Sequence, residues 1–171
     1  MMQYNHVTAY EKTSAYLEER PVLKTLLHPI SHAITAIYFI FYAWLLFTTF
    51  NGEVTANTMV AILGAPLLTL VIVTVLRFAV ARPRPYDENG AGITPLATKK
   101  DGVNNSFPSR HVACAFVIST VLLPFATGIA LCLFVSAVAL AIIRFALGLH
   151  YLSDLLGGAG IGVLCGALIF I

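Results

Sequence analysis

Apolar residues dominate the chain in long runs, and the few polar ones gather between them. Ile30 to Phe50 carries no charge, about the 20 residues a helix needs to cross the hydrocarbon core of a bilayer. Thr58 to Leu76 forms a second such run that continues to Ala81, and Tyr151 to Ile171 forms another, with Asp154 one turn in. Val112 to Ile143 is also uncharged, too long for one span and short for two. Pro124 and Gly128 stand at its middle, where such residues punctuate a tight turn. The pattern therefore predicts a hairpin of two spans, 109–123 and 125–147. The first of these is short, and its polar end can lie in a water-filled pocket in place of lipid. Residues 8–28 mix charges with Tyr16, Leu17, Leu23 and Leu27, which predicts a helix along the membrane interface, broken near Pro21.

The expected fold class is all-α: a polytopic membrane helix bundle of about five transmembrane helices (30–50, 58–81, 109–123, 125–147, 151–171) plus an N-terminal interfacial helix. Residues 1–171 read as one integral-membrane domain, with 82–108 as its active-site loop. Gly158, Gly162 and Gly166 recur at four-residue spacing, a face on which helix backbones approach closely in lipid. Packing inside the chain is the default reading of that face, dimerisation the alternative.

Composition narrows the class. Hydrophobic residues make up 58% and charged residues 11%, against roughly 45–50% and about 25% in soluble domains. A soluble enzyme and a disordered chain are excluded. Ten basic against eight acidic residues make no polycation for nucleic acid. Cys114, Cys132 and Cys165 all lie in apolar runs; an odd count without ligand spacing argues against a disulfide framework or a zinc site. The first 29 residues carry Glu11, Lys12, Glu18, Glu19, Arg20 and Lys24, and do not read as a cleavable signal peptide.

Five spans place every Lys, Arg and His on one side, with every acidic residue except Glu53. Positive residues mark the cytoplasmic side, though a functional arginine cluster would give the same bias in either orientation. Setting aside Arg77, Arg84, Arg110 and Arg144 still leaves Lys12, Arg20, Lys24, Arg82, Lys99 and Lys100 there, against none opposite. A cytoplasm-facing polar side is expected.

Three segments hold the candidate chemistry: Arg77 to Pro85, Asn105 to His111, and Arg144 to Asp154. Guanidinium groups present planar forks of donors that suit phosphate oxygens. Four arginines at one membrane face, with His111 and His150, describe a site for a tetrahedral oxyanion. Pro108-Ser109 ahead of a helix offers a side-chain cap and free N–H groups for an anion. His150 and Asp154 are four apart and share a helical face. Asp154 can then accept from one ring nitrogen and leave the other bare and nucleophilic. His111, on another helix, can give its proton to a departing alcohol oxygen. A metal on His111, His150 and Asp154 is disfavoured, because the arginines would repel a divalent cation. His28 and His32 also share a face, but without charged company they read as structural.

In order and position these residues resemble the type-2 phosphatidic acid phosphatase family, the lipid phosphate phosphatases related to vanadium haloperoxidases. Its Lys-x6-Arg-Pro signature is matched by Arg77-x6-Arg84-Pro85. Its Pro-Ser-Gly-His is matched by Pro108-Ser109-Arg110-His111, and its Ser-Arg-x5-His-x3-Asp by Arg144-x5-His150-x3-Asp154. The resemblance covers residues 77–154. It implies that His150 attacks phosphorus and becomes phosphohistidine, that Asp154 orients it, and that His111 is the general acid. It implies also that Arg77, Arg84, Ser109 and Arg144 hold the phosphoryl oxygens, with no metal or other cofactor. Three positions depart: Arg77 stands for the lysine, Arg110 for the glycine, and Ile143 for the serine. Arg110 is expected to add a phosphate contact through its N–H or its side chain.

The expected function is hydrolysis of a membrane lipid phosphomonoester, of phosphatidylglycerol phosphate or phosphatidic acid type, at the bilayer face. An isoprenyl diphosphate, such as an undecaprenyl-type carrier, is the alternative substrate. A non-enzymatic anion-binding or transport protein is the alternative class. Transport would call for polar residues across the midplane of several spans; here they sit mainly at one end. Loop 86–106, with Asp87, Glu88, Lys99, Lys100 and Asp101, is expected by its position to be a lid or headgroup selector.

Overall fold

The structure, a computed structural model, describes residues 2–53, 55–87, 90–96 and 105–170. Among these residues six α-helices follow one another without a strand: α1 (Met2–Glu18), α2 (Pro21–Thr48), α3 (Ala56–Val80), α4 (Arg110–Leu122), α5 (Thr127–Ala146) and α6 (Leu152–Gly166). The expected all-helical membrane bundle is what the chain forms.

Pro21 opens α2 at its first turn, where the missing N–H and fixed φ suit a helix start. The break near this proline is as expected. Beyond it, however, the chain runs as one helix through Pro29 to Thr48, so residues 21–28 belong to the first long helix and only α1 is separate. Thr55 caps α3 by accepting the N–H of Thr58. The greasy middle stretch doubles back: α4 ends at Leu122, Pro124 lies in the turn, and α5 begins at Thr127.

α2, α3 and α5 are each long and apolar enough to cross a membrane, while α4 and α6 are shorter apolar helices. The outer surface is hydrocarbon: Phe39, Phe47, Val60, Leu67, Phe78, Val135, Ile142 and Leu164 all stand exposed. Polar Ser31, Thr69, Ser119 and Thr120 lie buried inside. A surface greasier than the interior is the signature of a protein whose solvent is lipid.

α4 has 13 residues, about 20 Å of helix against a hydrocarbon core of about 30 Å. It can be short because it is the central helix: Val112, Ala113, Val117, Val121 and Leu122 are fully buried. Its closest partner is α6, and the glycine face explains why. A Cβ on Gly158 would stand 2.6 Å from the Ser109 carbonyl oxygen, one on Gly162 would stand 2.4 Å from that of Ala113, and one on Gly166 would stand 2.5 Å from Thr120 Cβ. The repeat thus packs within the chain and lays the start of α6 against the start of α4.

Candidate active site

The candidate residues gather at one end of the bundle, where α3 and α5 finish and α4 and α6 begin. A main-chain hydrogen bond ties two of their segments, the Ser109 N–H donating to the Asp154 carbonyl at 2.9 Å. At the C-terminal end of α5, Gly148 turns the chain with a φ of 72°. Tyr10 of α1 packs against that turn, its ring atoms 3.0 Å from where a Gly148 Cβ would lie. The Tyr10 hydroxyl donates to the Thr94 carbonyl at 2.6 Å, so α1 braces both the turn leading to His150 and the 90–96 loop.

Asp154 is fully buried and held on both oxygens. Its Oδ2 accepts from the Ser106 hydroxyl and, at 2.9 Å, from the Tyr151 N–H, which closes the first turn of α6 in the manner of a capping box. Its Oδ1 accepts from Arg82 Nη1 at 2.8 Å. The same Arg82 nitrogen donates to Ser153 Oγ at 2.7 Å, and the guanidinium carbon sits 3.9 Å from the Tyr151 ring centroid.

Sequence reasoning has Asp154 accepting directly from the His150 ring. In the structure His150 Nδ1 is 3.7 Å from Asp154 Oδ2, while the Ser106 carbonyl oxygen is 3.0 Å from that nitrogen. The carboxylate oxygen is already engaged by Ser106 and Tyr151, so the carbonyl takes the ring proton. A carbonyl can only accept, which puts the proton on Nδ1 and leaves the lone pair on Nε2. Burial, aided by the charges of Arg84 and Arg144, pushes the His150 pKa below its ordinary value against the opposing pull of Asp154.

Ser109 also differs from expectation. It precedes α4 but makes no side-chain cap, and its own N–H is taken by Asp154. Its buried hydroxyl has no partner among the described residues, and neither do Arg84 Nε and Arg144 Nε. Buried polar atoms are nearly always satisfied, so three orphans at one end of a bundle call for an acceptor-rich ligand.

Arg84 is set by its turn. Its backbone N–H donates to Asp87 Oδ2 at 2.7 Å and its Nη1 donates to the Tyr86 hydroxyl at 3.0 Å. A Cβ at residue 90 would stand 1.9 Å from the Arg84 carbonyl oxygen, so only glycine closes the turn.

Arg77 is turned to the scaffold, donating to the carbonyls of Asn105 and, at 3.3 Å, Pro108. Arg110 is exposed and reaches Thr74 Oγ1 at 3.5 Å, toward α3. His111, half-buried in the first turn of α4, lines an apolar cavity together with Arg110. Glu88, Lys99, Lys100 and Asp101 of the expected lid lie outside the described residues, whereas Asp87 is part of the Arg84 turn.

Ser106 and Arg82 are the residues sequence reasoning missed. Arg82 counted there only as a membrane-orienting charge. A second arginine two residues from Arg84, separated by one proline, was the available signal; nothing local marks Ser106.

The family model described as PAP2 superfamily matches residues 58–171. A crystal structure of LpxE from Aquifex aeolicus superposes with a TM-score of 0.72 at 24% identity, covering 96% of this chain and 93% of that one. A transmembrane PAP2-type phosphatidylglycerolphosphate phosphatase from Bacillus subtilis superposes with a TM-score of 0.66 at 25% identity, covering 95% of this chain and 83% of that one. No curated protein matches the chain by sequence.

Fold and site define the class, an integral membrane phosphatase. The chain belongs to the PAP2 superfamily.

Proposed function

We propose that the protein hydrolyses a lipid phosphomonoester, of phosphatidylglycerol phosphate or phosphatidic acid type, through a phosphohistidine on His150. The observation that carries this reading is the set of unpartnered buried donors, Arg84 Nε, Arg144 Nε and Ser109 Oγ. Among the described residues these donors have no acceptor, and phosphoryl oxygens would satisfy them. The Bacillus subtilis neighbour, a phosphatidylglycerolphosphate phosphatase, supports a phospholipid substrate.

His150 Nε2, with its lone pair free, attacks phosphorus as the bond to the lipid oxygen breaks. His111 gives a proton to that oxygen. Water then attacks phosphorus, loses its proton to His111, and displaces the imidazole to release inorganic phosphate. Asp154, 3.7 Å from Nδ1, stabilises the positive charge the ring develops, and the arginines supply the field that a metal supplies elsewhere. Arg77 steadies the 105–108 segment, and Arg110 contacts the headgroup side of the substrate.

The active-site face is cytoplasmic in this reading, since Lys12, Arg20 and Lys24, none of them part of the site, lie at that end. Purified protein should release phosphate from phosphatidylglycerol phosphate with EDTA present, vanadate should inhibit it, and His150→Ala should be inactive; activity retained in that variant ends the nucleophile assignment. Thr94→Cys in intact cells should resist an impermeant thiol reagent, and ready modification reverses the orientation.

A further inference from the structure

Arginines crowd the active-site end of the bundle, and one of them is neutralised: Arg82 pairs with Asp154 at 2.8 Å. Arg77, Arg84, Arg110 and Arg144 have no carboxylate partner among the described residues. They stand in two groups. The arginine charges felt at His150 are those of Arg84 and Arg144. The charge of Arg110 is felt at Arg77 and at Cys114. Among the described residues the Arg110 side chain donates to Thr74 Oγ1, at 3.5 Å, a long and weak bond. Thr74 is three residues from Arg77 and shares its face of α3. Arg110 also lines, with His111, a cavity that neither Arg84 nor Arg144 lines. One group therefore surrounds the nucleophile, and the other stands at the α3–α4 edge beside His111.

Charge counting says what the second group lacks. A phosphomonoester carries close to two negative charges at neutral pH, which Arg84 and Arg144 balance. Arg77 and Arg110 remain, and His111 adds a further positive charge while it holds the proton it is to give. Like charges this close at the edge of a low-dielectric bilayer repel strongly unless an anion sits among them. A general acid touches the oxygen that departs, so whatever lies beside His111 belongs to the leaving group. We propose that Arg110 binds a second, non-reacting phosphate carried by the leaving group, and so selects substrates that depart as anions. Two lipids offer that chemistry: a phosphatidylglycerol phosphate, whose phosphodiester lies one glycerol away, and an isoprenyl diphosphate, which departs as the monophosphate. A phosphatidic acid, departing as a neutral alcohol, does not. The proposal rests on the phosphatase reading, with His111 on the leaving-group side.

The test compares two substrate pairs on purified protein at fixed detergent, with phosphate release as the readout: dioctanoyl phosphatidylglycerol phosphate against dioctanoyl phosphatidic acid, and farnesyl diphosphate against farnesyl phosphate. In the unmodified protein kcat/KM should favour the member with the anionic leaving group in at least one pair. Arg110→Gln should lower that preference about 10- to 160-fold, the worth of one hydrogen bond to a charged group. Arg110→Lys, which keeps the charge without the planar fork, should fall between. Collapse in the first pair assigns the contact to a phosphodiester, and collapse in the second assigns it to the phosphate retained by the prenyl alcohol. No preference in the unmodified protein overturns the proposal without any variant. A preference that Arg110→Gln leaves intact overturns it too. Failure to hydrolyse all four lipids is a different result: it overturns the phosphatase reading and takes the second phosphate site with it.

Discussion

Arg144→Met separates function from stability most sharply. Arg144 is 4% exposed, its Nε has no partner, and no ion pair holds it among the described residues. A buried donor left unpaired costs about 1–3 kcal/mol, and an apolar side chain of similar length removes that cost. The melting temperature in detergent should stay level or rise. Activity should go the other way. Losing a hydrogen bond to a charged group removes about 1.5–3 kcal/mol, which corresponds to about a 10- to 160-fold fall in kcat/KM at 1.36 kcal/mol per decade. Because the Arg144 charge helps depress the His150 pKa, its removal should also move the acid limb of the pH–rate profile upward. Thermal unfolding followed by tryptophan fluorescence, beside phosphate release from pH 4 to 9, reads all three. A protein that loses stability while its remaining activity keeps the original acid limb would refute the reasoning and make Arg144 structural.

The other outcomes are simpler. His150 must be neutral to attack, and burial holds its pKa below the ordinary 6.5, so the acid limb of kcat/KM should lie below pH 6.5. The same shift gives a stability contribution that is complete above pH 6.5 and declines as pH falls toward the folded-state value, visible as a melting-temperature difference from His150→Gln that narrows in acid. Ser106→Ala removes a hydrogen bond to a buried carboxylate and should cost about 1.5–3 kcal/mol, measured by thermal unfolding, with a kcat loss that a KM change does not accompany. Gly158→Ala places a methyl 2.6 Å from the Ser109 carbonyl and should destabilise by about 1–3 kcal/mol; a neutral result would mean α4 and α6 part easily. Tyr10→Phe keeps the ring on Gly148 and should retain most activity, whereas Tyr10→Ala should lose it.

The hairpin was legible because proline and glycine interrupt a run too long for one crossing, and the turn at Pro124 bears that out. The nearness of His150 and Asp154 was legible from their spacing, though not as a shared helical face, because His150 lies ahead of α6 and Tyr151 between them is extended. Their actual bonding was not. Spacing placed the carboxylate near the ring, but which acceptor takes the Nδ1 proton depends on Ser106, more than forty residues away in sequence, delivered by a loop with no periodicity to read. Arg82 was hidden for a related reason: a charge at the end of a span has two physical explanations, and only its 2.8 Å bond to Asp154 chooses between them. The boundary at residue 21 was missed because the charges of 8–28 mask an apolar face already continuous with the first span.

The hydrogen bond from the Ser109 N–H to the Asp154 carbonyl has an evolutionary consequence. It joins the segment that carries one histidine to the segment that carries the other through main-chain groups that every residue but proline possesses. Side chains around the seam are then free to drift without unstitching it. Arginine can stand at 110 where the signature it resembles has glycine, and isoleucine at 143 where that signature has serine. Selection can alter which substrate the pocket admits while the scaffold that aligns its catalytic groups is inherited intact.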